Sequence, residues 1–359
     1  MKRRDFLKNS AAAAAAAALP WNGVLANSAW RTFEVTSRIR ILWPEGVSRI
    51  WLPLPALDTA WQKPIDNWWT GNAARAQRRS DGKYGVAMFC AEWQDTRTDP
   101  TIELGSRFMT RDYAVDLSRP GPDRGRLSPA EVAFYTAPTE LLPTDGIVRD
   151  TARAITRGAK TDLEKARAIY EWTGDNTFRD PKTRGCGLGD IKAMLETGQM
   201  GGKCADINAV FVGLCRSAGV PAREIYGVRV APSKLGYRSL GANTPNISKA
   251  QHCRAEFFAQ GYGWVPADPG DVRKVALDEP PGNLALDHPL VVAARKRLFG
   301  SWEMNWLAFN TGHDIALPDS RGPKLAFLMY PNGETGGERL DQLEPEAFSY
   351  AISWREVTG

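Results

Sequence analysis

The chain has 359 residues, 43% of them hydrophobic, which is enough for two or three packed domains. Its formal charge is +5, but five charged residues near the start account for +3, so about +2 remains for the rest and nucleic acid is not indicated as a partner. An odd set of five cysteines is too small for a disulfide-built scaffold and leaves at least one thiol free or linked to another molecule. The cysteines are Cys90, Cys186, Cys204, Cys215 and Cys253.

Residues 1–29 are predicted to be a Tat-type signal peptide. Arg3 and Arg4 precede a weakly hydrophobic run, Ala11–Leu19, that is too short for a transmembrane helix of about 20 residues. Paired arginines are typical of the twin-arginine route, which exports folded proteins. We therefore expect a periplasmic or secreted mature chain with no membrane span. The alternative, a disordered alanine-rich tail, requires neither the arginines nor the small residues of a cleavage site.

Residues 30–143 are predicted to form a β-sandwich-like domain. Phe33–Ile41 alternates between apolar and polar residues, and Ile50–Pro55 follows a glycine-containing turn. The tryptophans of this region are expected to fill its core, with a sugar-binding face as the alternative. They are Trp51, Trp61, Trp68, Trp69 and Trp93.

Helical signals begin after Pro143. Thr161–Glu164 has the sequence of a capping box, and Asp190 is placed to cap a shorter helix that ends before Gly198. A further apolar stripe at helical spacing follows Cys204 and predicts that this residue opens a helix. The stripe consists of Ile207, Val210, Phe211, Leu214, Cys215 and Ala218.

Cys204 is the candidate nucleophile because of this position. The unpaired N–H groups and the dipole of a helix N-terminus favour an anion, so the pKa of the Cys204 thiol is expected to fall. Gly201 and Gly202 allow a substrate carbonyl to approach, and the Cys204 N–H is available to an oxyanion. Cys215 lies about 16 Å further along the helix axis and is expected to be a buried stripe residue.

The candidate base is one of three histidines: His252, His288 and His313. His252–Phe258 and Gly263–Asp268 are predicted to be the two strands of a hairpin. A register centred on Gln260 places His252 opposite Asp268, with Cβ atoms about 4.5–5.5 Å apart. We therefore expect Asp268 to orient the imidazole of His252, completing a Cys204, His252, Asp268 triad.

Three blocks of sequence together resemble the transglutaminase-like superfamily. They are Gly202–Asp206, Arg216–Arg223, and His252 followed by Gly263–Asp268, and they occur in the family's order between residues 145 and 275. The resemblance implies a papain-like fold in which Cys204 attacks an amide or ester carbonyl, His252 moves the proton and Asp268 orients the imidazole. It implies no metal or other cofactor. The leader and the β domain also resemble exported bacterial members of the family.

The side-chain donor of the oxyanion hole is not fixed by the family pattern. Gln199, five residues before Cys204, is the candidate, with a solvated loop residue as the alternative and Asn176 as a weaker choice. Arg254 and Glu256 share the hairpin face with His252, and an ion pair is expected rather than a role in shaping the site.

Other candidate residues are expected to be structural. Cys253 points away from His252 and is predicted to be in the core, whereas Cys186 lies in a glycine-rich loop where a disulfide is an option. His313 has no nucleophile nearby in sequence, so we expect no catalytic role. No metal site is predicted, because HExxH is absent and the histidines and cysteines lack ligand spacing.

Residues 276–359 are predicted to be a β-rich extension packing on the core, with strands in Trp302–Trp306, Ala326–Tyr330 and Phe348–Trp354. The fold class expected for the whole chain is therefore α+β. It consists of a papain-like, transglutaminase-like catalytic core at 144–275, the N-terminal β-sandwich and this extension.

Three functions follow from these expectations. The first is a cysteine hydrolase that opens amide or isopeptide bonds of cell-envelope peptides or proteins through a thioester. The second is a protein-crosslinking acyltransferase, in which an amine rather than water resolves the same thioester. The third is a non-enzymatic binding or assembly module that retains the fold.

Overall fold

A computed structural model of the protein describes residues 28–94, 99–121, 125–345 and 348–358. Nearly all of the predicted signal peptide lies outside the described residues. The helices are α1 (Pro129–Thr136), α2 (Gly146–Ile155), α3 (Asp162–Asn176), α4 (Ile191–Thr197), α5 (Cys204–Ser217), α6 (Pro269–Asp278) and α7 (Pro289–Arg297). The first strands are β1 (Arg31–Arg40), β2 (Ser48–Pro53), β3 (Gln62–Gly71), β4 (Arg75–Ser80), β5 (Ala87–Trp93), β6 (Thr101–Thr110), β7 (Tyr113–Ala114), β8 (Phe178–Arg179) and β9 (Gly201–Gly202). The later strands are β10 (Ala222–Arg229), β11 (Gln251–Ala259), β12 (Gly263–Ala267), β13 (Ser301–Trp302), β14 (Trp306–Asn310), β15 (Asn332–Thr335), β16 (Glu338–Arg339) and β17 (Tyr350–Val357).

The N-terminal strands form two sheets that share one apolar cluster. One sheet has the order β17-β1-β6-β3 and the other the order β16-β15-β2-β5-β4. Phe33 and Phe108 from the first sheet and Ile50 and Phe89 from the second are fully buried in that cluster. The predicted strand-rich N-terminal region is confirmed, since alternating side chains of both sheets fill one core.

Of the five tryptophans predicted to fill the core of the β domain, Trp93 lies in the apolar cluster shared by the two sheets, whereas Trp51 and Trp61 are buried in neighbouring clusters. Trp51, Trp61 and Trp93 are at most 3% exposed, whereas Trp68 and Trp69 are each 37% exposed. Both exposed residues lie on β3, which is an edge strand of its sheet. Most β3 side chains are exposed or half-buried because no further strand follows it in this sheet.

Helix α5 is the centre of the second half of the chain. It packs against β11 in the sheet β12-β11-β10-β14, and its predicted apolar stripe is buried, including Cys215, except for Ala218, which is half-buried just after the helix. The neighbouring helices begin as the sequence indicates. Thr161 forms the predicted capping box with Glu164 at the start of α3, and the Asp190 side chain accepts from the Ala193 N–H at the start of α4.

The hairpin of β11 and β12 forms, but its register differs from the predicted one by two residues. Glu256 lies opposite Pro266 rather than Trp264. The turn is centred on Gly261, whose φ of +83° suits glycine, and not on Gln260. A shift of two residues keeps every side chain on its original face, since the period of a strand is two.

The C-terminal residues contribute strands to several sheets. β13 pairs with β7, β14 extends the core sheet beside β10, and β15 and β17 pair with the N-terminal strands β2 and β1. The predicted strand at 326–330 is wrong: Phe327 there stacks on Tyr226, with ring centroids 4.6 Å apart. This segment covers the core through its side chains, and its backbone is held by single hydrogen bonds, such as that from the Asp314 N–H to the Ala326 carbonyl, rather than by a strand ladder.

Candidate active site

Cys204 begins α5, as predicted, and its side chain is 4% exposed. Lys203 before it is extended, with φ −115° and ψ −159°, so the chain turns into the helix at the cysteine. The first N–H groups of a helix have no carbonyl four residues earlier to pair with. The Ala205 N–H is held by the carbonyl of Cys186 at 2.9 Å. The Cys204 N–H is therefore at the position where an anion is favoured.

Asp206 fixes the loop that lies over this helix start. Its Oδ2 accepts from the Lys203 N–H at 2.9 Å, and its Oδ1 accepts from the Leu188 and Gly189 N–H groups at 3.0 Å each. Gly187 has φ +93°, and a Cβ there would lie 1.8 Å from Asp206 Oδ2. Only glycine fits at this position, so the loop carrying Cys186 is held close to Cys204.

His252 lies on β11 and is 3% exposed. Its Nε2 is 2.8 Å from Asp268 Oδ2, so the two residues predicted to form a couple are in contact. Because of the register shift they meet diagonally, just past the end of β12, where Asp268 also caps α6 through the Asp271 N–H. Since Nε2 faces the carboxylate, Nδ1 is the nitrogen left for the sulfur of Cys204, and the imidazole helps to lower the pKa of that thiol.

Asn208 is a site residue that sequence reasoning missed. It lies one turn after Cys204 on α5 and is fully buried. Its Nδ2 donates to the Cys253 carbonyl at 2.9 Å and to Asp268 Oδ1 at 3.2 Å, and its Oδ1 accepts from the Gly270 N–H at 3.0 Å. One amide thus joins α5, β11 and α6. The available signal was a polar residue within the apolar run 207–215, four residues after the candidate nucleophile.

Two buried guanidinium groups balance the carboxylates around His252. Arg229 donates to Asp271 Oδ1 at 2.5 Å, and Arg254 Nε lies 3.7 Å from Asp268 Oδ2. The predicted ion pair between Arg254 and Glu256 is wrong. Glu256 pairs with Arg223 instead, because the two face each other across β10 and β11.

The charges of this network favour a thiolate beside an imidazolium. Burial would lower the pKa of His252, but the Asp271 and Asp268 carboxylates outweigh it and raise the pKa to about 10. Hydrogen bonds from the Cys186 and Cys253 thiols, followed by that of His252, hold the pKa of Cys204 well below its ordinary value despite burial.

The cysteines near the site play a larger part than predicted. Cys253 is buried, as expected, but its thiol contacts Cys204 rather than lying apart from it. Cys186 also contacts Cys204 and hydrogen-bonds the Gln251 carbonyl, with its sulfur 3.3 Å from the oxygen. The pKa values of Cys186 and Cys253 are raised well above the ordinary value, by the neighbouring thiolate and by burial, so both stay protonated donors. All of the cysteines are free thiols.

A cavity of about 390 Å³ opens onto Cys204 and His252. Gln251 lines this cavity, and its Nε2 is buried with no partner among the described residues. Gln199, the predicted oxyanion donor, is exposed and lines a neighbouring hollow of about 690 Å³ instead. Gln251 was missed because a residue next to His252 on a strand is expected to point away from it.

One cluster of described residues has the spacing of a metal site. The ligand atoms of His252, Asp268 and Asp271 lie within 4.8 Å of one another. Arg229 and Arg254 already place two positive charges against these carboxylates, so a metal ion would have to compete with them.

The other histidines lie away from Cys204. His288 caps α7 by accepting from the Leu290 N–H. His313 is buried, with its Nδ1 3.4 Å from the Tyr226 hydroxyl oxygen and its Nε2 4.0 Å from Glu224. Burial holds the pKa of His313 well below its ordinary value, so it is neutral.

Parts of the chain match models of known sequence families. A model of the transglutaminase-like superfamily matches residues 149–269, and a model of the twin-arginine translocation signal matches residues 1–20. A protein of Haemophilus influenzae, described as uncharacterized, is 34% identical over 334 residues, which is 89% of each chain. The signal sequence shows that the protein is exported to the periplasm or secreted. No helix in the described part of the chain is long and apolar enough to cross a membrane.

Two solved structures are similar. A crystal structure of a candidate cysteine protease from Cytophaga hutchinsonii has a TM-score of 0.56, with 14% identity and 92% of each chain covered, and so shares the fold. The periplasmic domain of TgpA from Pseudomonas aeruginosa is more distant, with a TM-score of 0.34 and 16% identity over 70% of this chain and 91% of that chain. The matched core runs from α2 to the start of α6 and contains all three residues of the predicted triad. Residues 149–269 therefore form a transglutaminase-like domain, within a fold that the Cytophaga structure shares.

Proposed function

We propose that the protein is a cysteine hydrolase that opens amide or isopeptide bonds of cell-envelope peptides or proteins. The observation that carries the proposal is that Cys204 and His252 meet at one cavity, with buried Asp268 bound to the far side of the imidazole, and have the acid–base properties that the reaction needs. The export signal supports a substrate in the envelope. The transglutaminase-like domain at residues 149–269 supports a peptide or protein substrate.

The first half of the reaction forms a thioester. The Cys204 thiolate attacks the carbonyl carbon, and the carbonyl oxygen becomes an oxyanion. The His252 imidazolium then gives its proton to the amine nitrogen as the carbon–nitrogen bond breaks, so the amine leaves neutral. Asp268 holds the ring in place and stabilises its positive charge throughout.

The second half hydrolyses the thioester. Neutral His252 takes a proton from water, whose oxygen attacks the same carbonyl carbon. The carbon–sulfur bond breaks, which releases a carboxylic acid and restores the Cys204 thiolate. If an amine replaces water, the product is a new amide, which is the acyltransferase reaction.

The oxyanion needs donors that are already in place. The Cys204 N–H at the helix start is one. The unpartnered Gln251 amide in the same cavity is a second candidate beside Gln199, which remains the prediction from sequence. Single Gln251→Ala and Gln199→Ala variants show which glutamine is the donor. The variant that lacks the donor should lose about 10²–10³-fold in kcat, and the other variant should not.

Alkylation by iodoacetamide tests the proposal without a known substrate. Cys204, located by peptide mass spectrometry, should react at neutral pH about tenfold or more faster in the native protein than in His252→Ala. His288→Ala is the matched control and should react like the native protein. Equal rates in the native protein and in His252→Ala would contradict the proposal and favour a binding or assembly module.

Product analysis separates hydrolysis from transfer. The native protein and Cys204→Ala are incubated with envelope peptides and a primary amine, and the products are weighed by mass spectrometry. We expect the mass of water to be added in the native sample alone. Addition of the amine would instead establish the acyltransferase.

A further inference from the structure

The cavity that opens onto Cys204 is strongly cationic. Five basic side chains line it: Arg179, Lys203, Arg229, Lys249 and Lys274. None of the described residues that line the cavity is an aspartate or a glutamate. An enclosed surface of one charge concentrates the field and attracts ligands of the opposite sign.

Two carboxylates pair with three of these five basic side chains. Asp278 is shared by Arg179 at 3.1 Å and Lys274 at 2.6 Å, and Asp271 pairs with Arg229. Lys203 and Lys249 have no carboxylate at ion-pair distance among the described residues. Burial, with Arg179 nearby, lowers the pKa of Lys274, as expected where positive charges crowd.

Three of the cationic residues are neighbours of the catalytic candidates in the sequence or in strand pairing. Lys203 directly precedes Cys204, and Lys249 lies three residues before His252. Arg179 pairs with Gly202 in the two-stranded sheet of β8 and β9. A ligand whose carbonyl lies at the Cys204 sulfur therefore has its neighbouring groups among these charges.

The adjoining hollow has a different character. It shares Cys186, Tyr330 and Leu343 with the cationic cavity, and its lining includes Leu188, Met194 and Phe327. The two hollows are neighbours that meet at these three shared side chains, and the second lining carries charges of both signs, including Arg184 and Asp190. The one-signed positive lining is therefore a property of the cavity at Cys204 and not of the hollow beside it.

We propose that the site selects acidic peptides, in which carboxylate groups flank the amide or isopeptide bond to be opened. This inference rests on the proposed function and adds the class of substrate. The unpaired ammonium groups of Lys203 and Lys249 contact the carboxylates. Neutral and basic peptides leave these ammonium groups unpaired and are poorer substrates.

A pair of alkylating reagents tests the charge of the site. Iodoacetate and iodoacetamide both transfer their carbon to sulfur with loss of iodide, but only the first carries a carboxylate. The ratio of their rates at Cys204, divided by the ratio for free cysteine, should be about tenfold or more in favour of iodoacetate. Salt at 1 M, where the Debye length is about 3 Å, should reduce this preference.

Lysine variants test whether the preference of Cys204 for iodoacetate comes from the cationic cavity. Lys249→Gln and Lys203→Gln should each lower the ratio about twofold to fivefold. Lys296→Gln, an exposed lysine in the last turn of α7, is the matched control and should leave it unchanged. A ratio that both cavity variants leave unchanged overturns the inference, even if Cys204 reacts rapidly with iodoacetamide and the proposed function stands.

If the thiol proves unreactive, the binding of peptides to the Cys204→Ala variant tests the preference for acidic peptides. The probes are acetyl-Ala-Glu-Ala-Glu-amide and the same peptide with glutamine at both glutamate positions. We expect the acidic peptide to bind at least about threefold more tightly, and Lys249→Gln to reduce the difference. Equal binding of the two peptides refutes the proposed selectivity independently of any catalytic result.

Discussion

The amide of Asn208 donates to Asp268 across 3.2 Å, and so joins the helix of the proposed nucleophile to the carboxylate that holds His252. The same side chain also bonds the Cys253 carbonyl and the Gly270 N–H. Three elements thus keep their relative positions through a single buried group. Asn208 is a positioning residue, because it acts through Asp268 and not on the substrate.

Replacement of Asn208 by alanine should therefore weaken both the fold and the site. Asn208→Ala leaves the Gly270 N–H and the Cys253 carbonyl buried without partners, at a cost of about 2 to 4 kcal/mol. Thermal unfolding measures this loss, and the pH profile of Cys204 alkylation should change as well. Asn176→Ala, at the exposed end of α3, is the control. An unchanged pH profile would show that Asn208 is merely structural.

The Cys186 thiol should help to keep Cys204 ionised. Cys186→Ala removes a donor to the thiolate, so the pKa of Cys204 should rise toward its ordinary value. The alkylation rate at pH 6 should then fall, while the rate at pH 10 should recover. Cys90→Ala, a half-buried thiol outside the site, should leave both rates unchanged. Identical profiles for the two variants would rule out this role.

The histidines should titrate very differently. The pKa of His252 is about 10, so NMR of the ring nitrogens should show it charged across the neutral range, whereas His313 stays neutral. Because the folded pKa of His252 lies above the unfolded value, its contribution to stability is complete below about pH 6.5 and is lost as the pH rises through 10. Asp271→Asn should lower this pKa. A native His252 that titrates near pH 6.5 would contradict the proposed ion pair.

The loop over α5 should tolerate no side chain at Gly187. Gly187→Ala puts a Cβ against Asp206, which should break its hydrogen bonds to the loop and lower stability by about 2 kcal/mol or more. Gly158→Ala is a matched control, because Gly158 has φ +91° and nothing within 4 Å of an added Cβ. The difference between the two variants in urea unfolding measures the clash. No difference would mean that the loop moves freely.

Glu224 should make the protein less stable at alkaline pH. Burial raises its pKa to about 8, although the Tyr226 hydroxyl opposes the shift. The folded state then binds a proton more tightly than the unfolded chain, so stability falls as the pH rises from about 4.5 to 8. Glu224→Gln should remove this loss, on the order of 5 kcal/mol at pH 9. Exposed Glu338→Gln, compared by thermal unfolding, should show no such gain.

Local patterns predicted much of the core. The start of α5 at Cys204, the capping box at Thr161 and the hairpin that carries His252 all depend on residues close together in the sequence. The contact between His252 and Asp268 was expected even though the register was wrong by two residues, because such a shift keeps both side chains on one face.

Features that depend on distant residues could not be predicted in the same way. Gln251 and Cys186 line the site because of how the loop and β11 pack on α5, and no periodicity indicates this. Segment 326–330 has the composition of a strand, but it is held by side chains such as Phe327. Trp68 and Trp69 are exposed because β3 is an edge strand, and the order of strands in a sheet is not a local property.

The pairing of β1 with β17 has a consequence for how the protein reaches its compartment. Arg31 bonds Glu356, 325 residues away, so this sheet closes only after synthesis has passed β17. A twin-arginine signal directs folded proteins, so closure takes place in the reducing cytosol. Cys204 and its neighbouring thiols are thus enclosed in reduced form, and they meet the oxidants of the envelope only as parts of a finished protein.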